Sequence, residues 1–201
     1  MIQNPIAPVI IVRILGEYHM SAIKIGVSSC LLGHQVRFDG GHKRDKFINE
    51  QLIEHFEFIP FCPEVAAGMG VPRQAIRLVD SGDEVRAVNS REPSIDITPQ
   101  IKAATMSQMD NLGQLSGYIL KKDSPSCGME RVKLYSNPQN NADNGNGPAP
   151  SRMGIGIFAS ELMERYPLLP VEEEGRLKDD GLRESFITRV YVYHRWQQLM
   201  H

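Results

Sequence analysis

The chain is poor in cysteine, in net charge and in long apolar runs, and each shortage removes a class of function. Three cysteines in 201 residues is an odd number, far below a disulfide scaffold. A reduced, cytoplasmic setting is therefore expected, where cysteines are more often ligands or catalysts than bridges. No C-x-x-C pair is present, which argues against a zinc ribbon, a thioredoxin-type redox pair and a ferredoxin-type cluster loop. A formal net charge of −2 gives no clear surface for nucleic acid. No apolar run approaches the roughly 20 residues that span a bilayer, so no membrane partner is expected. The apolar stretch 8–12 lacks both the basic region and the small-residue cleavage site of a secretory signal. Six histidines are scattered, none at ligand spacing from a cysteine, and carry no assigned role.

What is present reads as one α/β domain with an extension at each end. At 41% hydrophobic the chain can bury a full core. Residues 1–22 read as an N-terminal extension, 23–171 as the main domain, and 172–201 as a linker and C-terminal helix, or the start of a second domain. Residues 23–29 form a β-rich run that stops at Cys30. Apolar positions over 43–57 predict a helix, and residues 58–61 a second strand that stops at Cys62. Strand, helix, strand describes a right-handed βαβ unit. Residues 75–79 and 85–88 predict a hairpin insertion, and Thr98-Pro99 an N-capped helix running on to Leu112. Residues 117–120 predict a strand leading into Ser124-Pro125-Ser126-Cys127-Gly128, and 131–135 another. The polar stretch 136–151 reads as a mobile loop, and 182–199 as an amphipathic helix able to pack on this domain or to form a homodimer. The fold class is a mostly parallel sheet flanked by helices, Rossmann-like and three-layered, with a small hairpin insertion.

In such a sheet, ligands sit outside the carboxyl ends of the strands, and Cys30, Cys62 and Cys127 each follow a strand. Three thiolates can hold three corners of a cubane iron–sulfur cluster and leave one iron as an open Lewis acid. The bland alternative is three small buried hydrophobes. The surroundings favour chemistry, because Ser28-Ser29-Cys30-Leu31-Leu32-Gly33, Phe61-Cys62-Pro63-Glu64-Val65 and Lys122-Asp123-Ser124-Pro125-Ser126-Cys127-Gly128 wrap the thiols in Gly, Pro and small polar residues. Glu64 is the carboxylate best placed to activate water, or else accepts N–H bonds at a helix start. Ser124 can orient the water or a ring, with Ser126 the competing choice; both can equally serve the turn alone. Arg37, Asp39 and Lys43 reach a substrate or form a surface ion pair.

These three motifs, in this order, with Gly68-Met69-Gly70-Val71-Pro72-Arg73 and Val36-Arg37-Phe38-Asp39-Gly40, resemble the thiouracil desulfidases over roughly residues 23–170. Phe38 stands where that family commonly has tyrosine. The resemblance implies a 4Fe-4S cluster on Cys30, Cys62 and Cys127, and non-redox removal of sulfur from a thionucleobase substrate, with sulfide released and the open iron capturing the sulfur. It implies catalytic roles for Glu64 and Ser124; Ser29, Arg37 and Ser126 are the candidates for substrate contact. Such an iron would be oxygen-sensitive. Three rivals stay open: a non-enzymatic redox sensor, an iron–sulfur hydro-lyase, and a structural zinc site completed by a histidine such as His34.

Overall fold

The computed structural model describes residues 22–136 and 149–200. Residues 1–21 of the expected N-terminal extension and most of the expected loop 136–151 lie outside the described residues. Four strands, β1 (Lys24–Ser28), β2 (Glu57–Phe61), β5 (Gly117–Leu120) and β8 (Val171–Glu173), make a sheet in the order β2-β1-β5-β8. Every pairing in it is parallel. Side chains alternate across such a sheet, and the two resulting faces have different covers. Ile25, Val27 and Ile119 face a layer with Ile48 of α1 (Lys46–Glu50) and Phe186 and Val190 of α6 (Asp180–Met200). Tyr118, Leu120 and Val171 face Ile101 of α3 (Thr98–Met106) and Phe158 and Leu162 of α5 (Ile157–Arg165). This is the expected three-layer α/β arrangement.

The expected hairpin is present as β3 (Ile76–Asp80) and β4 (Val85–Asn89), but it is more than an insertion. With β6 (Val132–Ser136) and β7 (Ser151–Gly154) it forms a second four-stranded sheet, in the order β4-β3-β6-β7. Leu78, Ala87 and Val132 of this sheet join the core beneath β5. Strand periodicity shows which residues face inward, but it does not name the partner strand.

Three local expectations are corrected. The helix over 43–57 shortens to α1 and a 3₁₀ turn, Leu52–Glu54, and Ile53 is exposed. The cap is Asp45, whose carboxylate accepts from Ile48 N–H at 3.1 Å. The helix from Thr98 stops at Met106, and a separate turn, α4 (Met109–Leu112), follows. Thr98 is the first helical residue, and its hydroxyl accepts from Ala87 N–H at 2.8 Å, tying α3 to β4. Glu172 to Glu174, expected as linker, continue β8 or follow it and are buried. A buried carboxylate requires partners, and each has one. Glu172 accepts from Arg176 at 2.6 Å, Glu173 from Met129 N–H at 2.9 Å, and Glu174 from Lys122 N–H at 2.8 Å. The C-terminal helix packs on this same domain through Phe186 and Val190.

Candidate active site

Because β1, β2 and β5 run parallel as neighbours, their carboxyl ends share one edge. Cys30 lies in a 3₁₀ turn, Ser29–Leu32, directly after β1. Cys62 follows β2 and caps α2 (Pro63–Ala66). Cys127 lies in the turn after β5. All three thiols line one cavity of about 320 Å³. The turn that carries Cys127 is tightly tied: Gly128 N–H donates to the Ser124 carbonyl at 2.8 Å. A Cβ on Gly128 would stand 2.4 Å from Val132 and 3.1 Å from that carbonyl, so glycine is needed here for close approach. Gly156 N–H and Ile157 N–H donate to the Gly128 and Pro125 carbonyls, which fastens the turn to the start of α5.

Burial dominates the acidity of all three thiols. It pushes Cys30 up to about 11, against the smaller pull of Lys121 and Arg37. Cys62 is raised for the same reason, with the Val65 N–H opposing. Cys127 is raised well above the ordinary thiol range, with Ser28 as its hydrogen-bonding counterweight. A metal taken up here must therefore displace protons. Among the described residues, no three His, Cys, Asp or Glu side chains gather closely enough for a single metal ion. A structural zinc draws four ligands to about 2.3 Å, and this edge does not provide that. Three soft thiols spread around one cavity suit a polynuclear cluster, whose ligands stand apart at its corners.

Glu64 enters the cavity from the first turn of α2. It accepts from Arg73 through Oε2, at 2.6 Å from Nη2 and 2.8 Å from Nε. Its Oε1 accepts from the Ser126 hydroxyl at 2.9 Å. The helix-start alternative is thus not what holds this carboxylate. Ser126 is fully buried behind Glu64 and does not line the cavity wall. Ser124 does line it, and its Oγ accepts from Ser126 N–H at 3.3 Å and Cys127 N–H at 3.1 Å. With both acceptor positions engaged, its own O–H proton is left to donate elsewhere. Ser29 and Arg37 also line the cavity. Arg37 lies 3.6 Å from Asp39, yet its buried Nε makes no hydrogen bond.

The sequence model of the 2-thiouracil desulfurase family matches residues 25–174. The chain belongs to the 2-thiouracil desulfurase family. Uncharacterized protein YbbK of Bacillus subtilis (strain 168) is 29% identical over 109 residues, which cover 51% of this chain and 71% of that protein. Among solved structures, the [4Fe-4S]-dependent thiouracil desulfidase TudS matches with a TM-score of 0.58 at 29% identity. That match covers 81% of this chain and 98% of the solved one.

For a 2-thiouracil desulfurase family member, several contributors to this edge went unassigned in the sequence. Ser28 accepts from Lys121 N–H at 3.0 Å while serving Cys127. Lys121 lines the cavity, paired with Glu174 just after β8. Arg73 reaches back over nine residues to Glu64, and its Nη2 donates to the Val36 carbonyl at 2.8 Å. The Gly68-x-Gly70 spacing was the available signal for that return, since both glycines adopt positive φ, 78° and 73°, a conformation glycine takes readily.

Proposed function

We propose that this chain removes sulfur from thiolated pyrimidines such as 2-thiouracil by hydrolysis without net electron transfer, giving the oxo base and sulfide. The observation that carries this reading is the convergence of Cys30, Cys62 and Cys127 on one cavity that also presents Glu64, in a 2-thiouracil desulfurase family member. Cys30, Cys62 and Cys127 would hold a 4Fe-4S cluster, which supplies a soft Lewis acid suited to a thiocarbonyl sulfur.

The remaining work falls to the protein. Glu64 takes the proton of the attacking water at Oε1 or Oε2. Arg73 and Ser126 hold its carboxylate in place, so little reorganisation is needed when the proton moves. Ser124 donates its free O–H to the ring or the water, fixed in place by the two N–H groups it accepts. Arg37 brings its guanidinium to the cavity wall to meet the exocyclic carbonyl oxygen of the base, and Ser29 borders the ring. Lys121, kept at the cavity by Glu174, places positive charge where hydrosulfide accumulates.

The test is incubation of the anaerobically iron- and sulfide-loaded chain with 2-thiouracil. Uracil and sulfide should form in equal amounts, and Cys127→Ala should form neither. A loaded wild type that leaves 2-thiouracil intact overturns the proposal.

A further inference from the structure

Tyr118 is fully buried at the centre of the principal sheet, yet its hydroxyl has no hydrogen-bond partner among the described residues. Buried tyrosines ordinarily find a partner for the O–H, and an orphaned one calls for a cause. The surroundings point to one. Tyr118 pairs in register with Gly26 on β1, and its ring occupies the space a side chain there would fill. A Cβ on Gly26 would lie 2.2 Å from Cδ2 of Tyr118. The ring therefore lies across β1, on the same face as Ser28, a cavity-lining residue two positions further along. Phe158 packs on the Tyr118 ring at 5.3 Å and on Phe61 at 5.2 Å. Phe61 is a cavity wall residue that directly precedes Cys62.

Cys127 belongs to the same buried core cluster as Tyr118. Burial first, then the fields of Cys127, Cys62 and Cys30 in that order, hold the phenol well above its ordinary range. The group therefore stays an O–H donor in neutral solution. It is a donor with no acceptor among the described residues, in the buried core cluster that also holds Cys127.

We infer that Tyr118 is a positioning residue that donates its phenolic hydrogen bond to a sulfur of the centre held by Cys30, Cys62 and Cys127. The inference rests on the cluster reading above. A hydrogen bond to sulfur draws electron density from the metal–sulfur bond, which raises the reduction potential of a cluster and fixes the orientation of the group that carries it. Glycine at position 26 is then part of the site, because it opens the path by which the ring crosses β1.

The experiment uses Tyr118→Phe beside the wild type, loaded anaerobically with iron and sulfide. Both should take up the same iron and sulfide, while the variant's cluster midpoint potential shifts to more negative values. In the iron-free chain, where the hydroxyl is unsatisfied, Tyr118→Phe should unfold at the same temperature as the wild type or higher. An unchanged potential at equal iron content overturns the inference and leaves the proposed function standing. A lower unfolding temperature of the iron-free variant also overturns it, because the hydroxyl would then have another partner. A wild type that takes up no iron and sulfide overturns the proposed function, and this inference with it.

Discussion

Glu64 illustrates how a motif and its geometry divide the explanation of one residue. The Cys62-Pro63-Glu64 sequence places a carboxylate in the first turn of α2, two residues past a strand-end thiol. The partner that orients it, Arg73, is visible only once the intervening loop is folded back at Gly68 and Gly70. Glu64→Gln keeps the shape and the bond from Ser126 but removes the proton acceptor. Iron content should be unchanged, and uracil formation from 2-thiouracil should fall by about 10²- to 10⁴-fold, read by steady-state kinetics. Arg73→Met should act through stability as well, since it leaves Glu64 partly buried with Ser126 alone. Breaking such a pair costs about 3–5 kcal/mol when fully buried, so urea unfolding should show a loss at or somewhat below the lower end of that range. The sequence favoured Ser124 for the catalytic role, with Ser126 on the other side of Pro125 as the competing choice. They separate in the fold, where Ser126 supports Glu64 and Ser124 faces the cavity.

At the scale of elements, the strands and the pairings of the βαβ unit and the hairpin were legible, but the partners of β6 and β8 were not. β1, β2 and β5 show in the sequence as short apolar runs that end at Cys30, at Cys62 and before Cys127, and all three lie where expected. β8 was missed because Glu172 and Glu173 look solvated until Arg176 and the Met129 N–H supply their partners. Glu173 carries a consequence of that burial. Desolvation, opposed by the Met129 N–H, holds its carboxyl above the ordinary 4.5. Above 4.5 and up to the raised folded value, the native chain binds more protons than the unfolded one, so this group's contribution to stability falls as pH rises through that window. Glu173→Gln retains the acceptor oxygen and removes the titration. Its unfolding temperature relative to wild type should therefore climb as pH is raised from about 4.5 and level off once Glu173 is ionised. A difference that is flat with pH would contradict this. Gly26→Ala drives a methyl into the Tyr118 ring, and an overpacked core costs about 1–3 kcal/mol or more, measurable by thermal unfolding.

For the molecule as a whole, the principal sheet carries the three-cysteine cavity at one edge and the C-terminal helix on one face. The periodicity of Phe186 and Val190 showed an apolar face on α6, but not that this face closes over Ile25, Val27 and Ile119 of the principal sheet. That was beyond the sequence because an amphipathic face does not name its occupant. The cysteines were the reverse case. Three residues separated by long stretches of chain carried no local signal of proximity, yet parallel strands bring their ends to one cavity. The central claim is that these three thiols together hold one cluster. Its most direct measurement is the iron and acid-labile sulfide content of the anaerobically purified chain and of Cys30→Ala, Cys62→Ala and Cys127→Ala. The account predicts about four of each per wild-type chain and a large loss in every one of the three variants. Zinc in place of iron, or iron content indifferent to any of the three substitutions, would contradict it.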